Sequence, residues 1–176
     1  MVILALPAQA AEVVVVEADR DATLIEHPDG ELGNGSGPSL FAGRTGQNQN
    51  GIRRALVRFD VEAALPDHAI IESVNLNLYL NPSNDATREL RLHRVLADWG
   101  EGASSSSGGG GAPAETGDAT WIHTFHDSDF WVHSGGHFVG RVSARLDVSG
   151  GGFYTWESNY HLIQDVSLWK SDPGRN

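Results

Sequence analysis

Cysteine is absent from this 176-residue chain, which excludes disulfides, thiolate metal sites and a cysteine nucleophile. Lysine is almost absent, since Lys170 is the one lysine among 12 basic residues. No apolar run approaches the roughly 20 residues that a membrane-spanning helix needs, so we expect no membrane span. The chain is 40% hydrophobic and 20% charged, and its length suits one folded domain with its own core.

Positive charge is scarce relative to negative charge. The 23 acidic residues outnumber the 12 basic ones and give a net charge of -11 at pH 7. Nucleic acids and anionic membranes would repel such a chain, so neither is expected as a partner. The basic residues are nearly all arginine, whose planar guanidinium forms paired hydrogen bonds with carboxylates. Those carboxylates belong to the protein itself or to an acidic ligand, and the abundance of internal acids favours internal pairing.

The N-terminus resembles the end of a signal peptide, although it has a short apolar run and no positive region before it. Residues 1–10 read "MVILALPAQA", with an apolar run and a proline before the small-x-small sequence Ala8-Gln9-Ala10. This pattern precedes signal-peptide cleavage, which we expect after Ala10 or Ala11, so that residues 1–11 are the remnant of a leader. The alternative interpretation is a frayed N-terminal strand.

Residues 12–176 are predicted to form one all-β domain, an antiparallel β-sandwich of jelly-roll type. Alternating or β-branched segments are separated by turns rich in glycine, asparagine, aspartate and proline. The clearest segment, "SVNLNLYL" (73–80), has Val and Leu on one face and Asn75, Asn77 and Tyr79 on the other, as in a sheet with one buried and one solvated face. The predicted strands are 12–18, 22–26, 39–43, 54–59, 73–80, 89–95, 140–148 and 152–156.

Two segments depart from the strand pattern. "GEGASSSSGGGGAPAETGD" (100–118) has low complexity and is too polar to pack, so we expect a disordered surface loop. "SNYHLIQDVSLWKSDPG" (158–174) has apolar residues at helical spacing, ends in Asp-Pro-Gly and can be capped by Ser158 or Asn159. It predicts one short helix near the C-terminus, packed against the sandwich.

The strand 54–59 raises the question of a binding face. "RRALVRFD" (53–60) alternates in polarity, which predicts an apolar face with Ala55 and Val57 and a charged face with Arg54 and Arg58. The charged face either binds a ligand or is the solvated side of a sheet.

A second strand, 89–95, presents Arg91 and His93 on one face. If the two strands are neighbours, their basic residues form a strip that can hold uronate carboxylates. The alternative is that Asp60, Glu89 and other acids neutralise these arginines across the strands, and this alternative is slightly favoured.

Aromatic residues can form a platform for sugars, because a ring face packs on the C–H face of a pyranose. Tyr79 is the aromatic residue that alternation places outward most clearly, in register with Asn75 and Asn77. Amide groups of this kind can donate to and accept from sugar hydroxyls. Taken alone, this row is a weak ligand signal.

Metal ligands are the next candidates. Asp19, Asp21 and Asp29 lie in turn-rich sequence and offer the oxygen ligands that a structural calcium ion prefers; the alternative is a solvated acidic patch. Histidines between 123 and 161 suggest zinc or nickel, but no fixed spacing supports a site, and His123 is interpreted as a core residue. No pair of carboxylates and no serine arrangement stands out, so we expect no catalytic activity.

Several blocks, in order, resemble the signature of the DNRLRE-domain family, over nearly all of 19–176. The chain departs from that signature at His137, where the family usually has an acid within "GGDF". The family also continues with further strands beyond its "DP..N" motif. The matching blocks are "RRALVRFDVEAALPDHAIIESVNLNLYL" (53–80), "LRLHRVLADWGEG" (90–102), "GDATWIHTFHDSDFW" (117–131) and "LIQDVSLWKSDPGRN" (162–176).

This family is similar to carbohydrate-binding module family ninety-six, a secreted β-sandwich whose described members bind alginate. The resemblance implies a secreted, non-catalytic domain that binds an acidic extracellular polysaccharide such as alginate. The alternative is a structural or adhesive matrix or surface domain with a protein partner and no sugar site. Because the family supplies further strands, we also expect the chain to be C-terminally incomplete and its open sheet edge to pair with another copy.

Overall fold

The computed structural model of the protein describes residues 11–81 and 86–172. Residues 1–10 of the predicted leader and the last four residues lie outside this description. Within it, α1 (Val61–Ala64) is a single turn and α2 (Tyr160–Ser171) is the longer helix. The strands are β1 (Arg20–Ile25), β2 (Leu32–Gly33), β3 (Gly43–Arg44), β4 (Ile52–Arg58), β5 (Leu76–Leu80), β6 (Arg88–Leu92), β7 (Ala112–Pro113), β8 (His123–Phe125), β9 (Asp129–Phe130), β10 (Ala144–Val148) and β11 (Gly152–Trp156).

The described strands form several small sheets, and every pairing is antiparallel. The largest has the order β1-β4-β3, and the two-stranded sheets are β6–β10, β5–β11, β2–β7 and β8–β9. The predicted all-β class with a short C-terminal helix is therefore confirmed, in a sandwich-like arrangement. The strand order of a jelly roll remains a prediction that these pairings do not establish.

The hydrophobic core lies against one face of the β1–β4 pair. Ala22 is opposite Leu56 in the register, and Leu24 is opposite Arg54. Burial of apolar and aromatic surface is the main stabilising contribution to such a core. The cluster consists of Ala22, Leu24, Leu56, Trp99, Ala119, Trp121 and Trp131.

The predicted orientation of strand 54–59 is wrong. Leu56 is buried and Ala55 is exposed, so Arg54 and Arg58 share their face with the core residue and not with solvent. The larger leucine buries more apolar surface than alanine, which favours this orientation. The two arginines therefore extend from the margins of the core.

The predicted strands 12–18 and 39–43 are also wrong for most of their lengths. Residues 11–18 contain no strand, and Val13 and Val15 are 89% and 83% exposed. In the second segment only Gly43 belongs to a strand. β-branched residues stabilise a strand mainly through cross-strand packing, and 12–18 pairs with no neighbouring strand among the described residues.

Residues 100–118, for which a disordered surface loop is predicted, contact the rest of the protein at several points in the structure. Ser104 and Asp118 are almost fully buried. The Asp118 carboxylate accepts hydrogen bonds from the backbone N–H groups of Ser104 (3.2 Å) and Glu115 (2.6 Å). The N–H of Gly35 donates to the Ser104 carbonyl (3.0 Å), and β7 within the segment pairs with β2.

Glycine in this region serves close packing. A Cβ at Gly35 would lie 1.6 Å from the carbonyl oxygen of Glu101. Gly111, with a φ of +79°, lies against Ile25, whose Cδ1 would be 2.3 Å from an added Cβ. Backbone can approach so closely only where no side chain intervenes. A segment whose composition is typical of a mobile linker thus packs over the face of β1 that points away from the core cluster.

Helix α2 confirms the predicted C-terminal helix. Asn159 is its N-cap, and its side-chain oxygen accepts from the N–H groups of His161 (2.8 Å) and Leu162 (3.2 Å). Leu162 is buried. Capping of this kind satisfies N–H groups that have no partner inside the helix.

A buried carboxylate joins α2 to the segments that follow β6 and precede β10. Asp165 accepts hydrogen bonds from Arg94 (3.1 Å), from Arg141 (2.8 Å) and from the hydroxyl of Ser143 (2.5 Å). The Asp165 side chain is almost fully buried, and that of Arg94 is largely so. Removing one partner from a buried ion pair leaves an uncompensated charge, which costs more than the pair itself contributes.

We therefore predict that Asp165→Ala lowers the free energy of unfolding by about 3–5 kcal/mol. The loss should be measured from urea denaturation curves. Asp147→Ala, which removes an exposed carboxylate from β10, is the control and should change stability by less than about 0.5 kcal/mol. Equal, small losses in both variants would contradict a clamping role for Asp165.

Candidate functional site

The predicted basic strip is not assembled. Arg54 points toward the core, where its guanidinium carbon lies 5.0 Å from the ring centroid of Trp121 and 5.1 Å from that of Phe138. It also donates a hydrogen bond to the carbonyl of Gly135. Burial lowers the pKa of Arg54, and the nearby charge of Glu26 opposes that shift. Arg54 thus acts as a packing residue through cation–π contacts.

Arg58 is engaged by an acid of the protein. Its Nε donates to Asp19 Oδ1 (3.1 Å) and its Nη2 donates to Oδ2, which is the bidentate arrangement of an arginine–carboxylate pair. The hydrogen bond from Arg58 lowers the pKa of Asp19. Because β4 and β6 belong to different sheets, Arg58 and Arg91 are not on neighbouring strands.

His93 follows β6 and is partly buried. Its Nδ1 lies 3.0 Å from the carbonyl oxygen of Val139, and its ring centroid lies 5.1 Å from that of Phe138. These contacts join the segment after β6 to the segment before β10. His93 therefore does not extend the exposed face of Arg91.

The three predicted calcium ligands do not form one set. Asp19 pairs with Arg58, Asp21 lies near the start of β1, where burial raises its pKa, and Asp29 is exposed in the turn beyond the other end of that strand. Across the described residues, no group of three or more His, Asp or Glu side chains is placed to hold a metal ion. The structure thus separates Asp21 and Asp29 by the length of β1.

The actual neighbour of Arg91 is Arg145 of β10. The two residues are directly opposite each other in the β6–β10 register, and both side chains are mostly exposed. Glu89 lies between them: its Oε1 accepts from Arg91 Nε (2.5 Å), and its Oε2 is 3.6 Å from Arg145 Nη1. The prediction placed this neutralisation across strands, whereas Glu89 pairs with Arg91 on its own strand, and sequence reasoning missed Arg145.

The solvated face of β5 has the predicted orientation. Asn75, Asn77 and Tyr79 are all exposed. Asn77 accepts a hydrogen bond from the hydroxyl of Thr155 on β11 (2.7 Å), whereas Asn75 accepts from the N–H of Ser158 (2.8 Å) and holds the segment before α2. The side-chain oxygen of Asn75 is therefore engaged by the protein backbone.

Tyr79 has an aromatic partner. Phe153 is directly opposite it on β11, with ring centroids 5.0 Å apart in an edge-to-face arrangement. The two residues are 64% and 83% exposed. We call Asn77, Tyr79, Phe153 and Thr155 the aromatic face. The outward position of Phe153 could have been predicted from alternation within "GFYTW". If Trp156 is buried, residues 153 and 155 lie on the opposite face of the strand.

A cavity of about 740 Å³ adjoins the aromatic face. Thr155 belongs to both, and the cavity is bounded by β10, by β11 and by the first turn of α2. Arg145 supplies a cationic group to its wall, and Tyr160, which is largely exposed, supplies an aromatic ring. A ring pair, hydroxyl and amide groups and a guanidinium are thus available along one continuous surface.

Among the histidines between 123 and 161, His123 lies in the core. His123 is buried, its Nδ1 lies 2.9 Å from the Thr120 hydroxyl oxygen, and its ring centroid is 4.9 Å from that of His126. Burial, and then the charge of His126, lower the pKa of His123, while Asp127 opposes the shift. Its interpretation as a core histidine agrees with these contacts.

Compared with protein-family models, curated proteins and solved structures, the chain has no match. No helix among the described residues is long and apolar enough to cross a membrane.

The lowered pKa of His123 predicts an acid-dependent loss of stability. The folded state favours the neutral ring, so stability is fully present above the unfolded-state pKa of about 6.5 and falls as the pH drops below it. We expect His123→Asn to show a smaller fall in melting temperature between pH 7.5 and 5.5 than the parent. The exposed His68→Asn is the control and should follow the parent; identical falls in all three proteins would contradict the assignment.

Proposed function

We propose that this protein is a secreted, non-catalytic domain that binds an acidic extracellular polysaccharide such as alginate through the aromatic face and the adjoining cavity. The observation that carries the proposal is the exposed pair Tyr79 and Phe153 on neighbouring strands. Large aromatic side chains contribute most when they are buried, so two of them exposed side by side favour a ligand surface. The edge-to-face contact also holds both rings in place before a ligand arrives.

The polar groups of the aromatic face suit a sugar. Asn77 and Thr155 stand beside the rings and already share a hydrogen bond, while the remaining donors and acceptors of the amide and hydroxyl can serve sugar hydroxyls. A ligand site of this composition combines apolar contact area with a few oriented polar groups.

The acidic class of ligand follows from Arg145 at the cavity. The net charge of -11 opposes the approach of a polyanion at long range, so recognition has to come from short-range paired contacts. A guanidinium forms such contacts with a carboxylate. The resemblance to the DNRLRE-domain family and the leader-like N-terminus support the same ligand class and an extracellular location.

We predict that Phe153→Ala weakens binding to alginate about 2- to 12-fold, the range that corresponds to the 0.5–1.5 kcal/mol of a specific aromatic contact. Affinity gel electrophoresis with alginate or polygalacturonate in the gel measures the change as restored mobility. Loss of the ring should also weaken binding to the uncharged backbone of the sugar, so the effect should persist at high salt.

The matched control is Phe130→Ala, which removes the same side chain from an exposed position of β9, in a different sheet. Its mobility should equal that of the parent. If the parent protein is not retarded by either polysaccharide, the proposal is wrong, and the exposed rings then favour the alternative of a protein partner.

A further inference from the structure

Glu89 holds a carboxylate at the point where two cationic side chains meet. Arg91 and Arg145 are directly opposite across the β6–β10 pair, where like charges destabilise a sheet. One carboxylate oxygen of Glu89 faces each arginine, at 2.5 Å from Arg91 Nε and 3.6 Å from Arg145 Nη1. A single acid of the protein thus serves two arginines.

Glu89 holds Arg91 more closely than it holds Arg145, which leaves Arg145 the more available of the two to a ligand. The contact with Arg91 is a hydrogen bond, whereas the contact with Arg145 is a longer charge interaction. Arg145 is also the member that lines the cavity beside Thr155 and Tyr160. The weaker of the two Glu89 contacts, the one with Arg145, is therefore the one beside the surface that the ligand would occupy.

We infer that Glu89 takes the place that a uronate carboxylate of the ligand occupies on binding, so that the ligand displaces the Glu89–Arg145 contact. This inference rests on the proposed function and adds a determinant of specificity to it. A ligand carboxylate compensates Arg145 as Glu89 did, whereas a neutral sugar that moved Glu89 aside would leave the guanidinium without a carboxylate. Competition between Glu89 and the ligand for Arg145 thus favours acidic polysaccharides over neutral ones. It also lowers the affinity for every acidic polysaccharide, because Glu89 has to be displaced.

The test measures binding of a defined alginate oligosaccharide by isothermal titration calorimetry to the parent, Glu89→Gln, Arg145→Ala and the double variant. Glu89→Gln should bind about two- to fivefold more tightly, the effect that an exposed ion pair of this kind exerts. Arg145→Ala should weaken binding. In the double variant, Glu89→Gln should not raise the affinity, because the guanidinium for which Glu89 and the ligand compete has been removed.

Asp147→Asn is the matched control. Asp147 is exposed on β10 opposite Glu89, and its substitution raises the net charge by the same one unit. It should change the affinity for the alginate oligosaccharide by much less than Glu89→Gln does. A neutral mannan oligosaccharide, used as second probe, should bind Glu89→Gln no more tightly than it binds the parent. Melting temperatures of all variants verify that each is folded.

The outcomes separate the two proposals. If Glu89→Gln and Asp147→Asn tighten binding equally, the effect is one of net charge and the inference is wrong. The inference is also wrong if the parent binds alginate and Glu89→Gln binds it no more tightly. A parent that binds no alginate at all would instead overturn the proposed function. Tightening that depends on Arg145 and is confined to the acidic oligosaccharide supports the inference.

Discussion

The buried carboxylate of Asp165 is the interaction on which the candidate surface depends. It joins α2 to Arg94, which follows β6, and to Arg141 and Ser143, which precede β10. Backbone hydrogen bonds already join β6 to β10, and three hydrogen bonds to one buried acid add α2 to that pair. The first turn of α2, which carries Tyr160, forms a wall of the cavity, and the Asp165 contacts hold the next turn of this helix.

Arginine has several roles in this acidic protein, and burial distinguishes them. Arg54 fills the space between two aromatic rings, Arg94 pairs with a buried acid, and Arg145 stays mostly exposed beside the cavity. Desolvation of a guanidinium is costly unless aromatic faces or carboxylates compensate it. Under the proposed function, a ligand carboxylate is recognised by an exposed arginine such as Arg145, which Glu89 faces at 3.6 Å.

Local patterns predicted well where neighbouring residues decide the structure. The helix at 160–171 follows from its cap at Asn159 and its apolar spacing, and the outward position of Tyr79 follows from strict alternation. The orientation of strand 54–59 was predicted wrongly, because arginine side chains can lie over aromatic rings and so appear on the core face. The contacts of the glycine-rich segment could not be predicted from its composition, because they depend on close backbone approach to residues distant in sequence, such as Gly35 against Glu101.

From the sequence alone follow the absence of cysteine chemistry, the excess of negative charge, the all-β class and the helix near the C-terminus, since each depends on composition or on periodicity within one segment. Only the tertiary structure decided which arginines remain exposed and which residues meet across strands. Arg91 lies opposite Arg145, and Tyr79 lies opposite Phe153, because the order of strands within a sheet is set by contacts between segments distant in the chain. Alternation along a strand determines the face on which a residue lies, whereas strand pairing determines which residue lies opposite it.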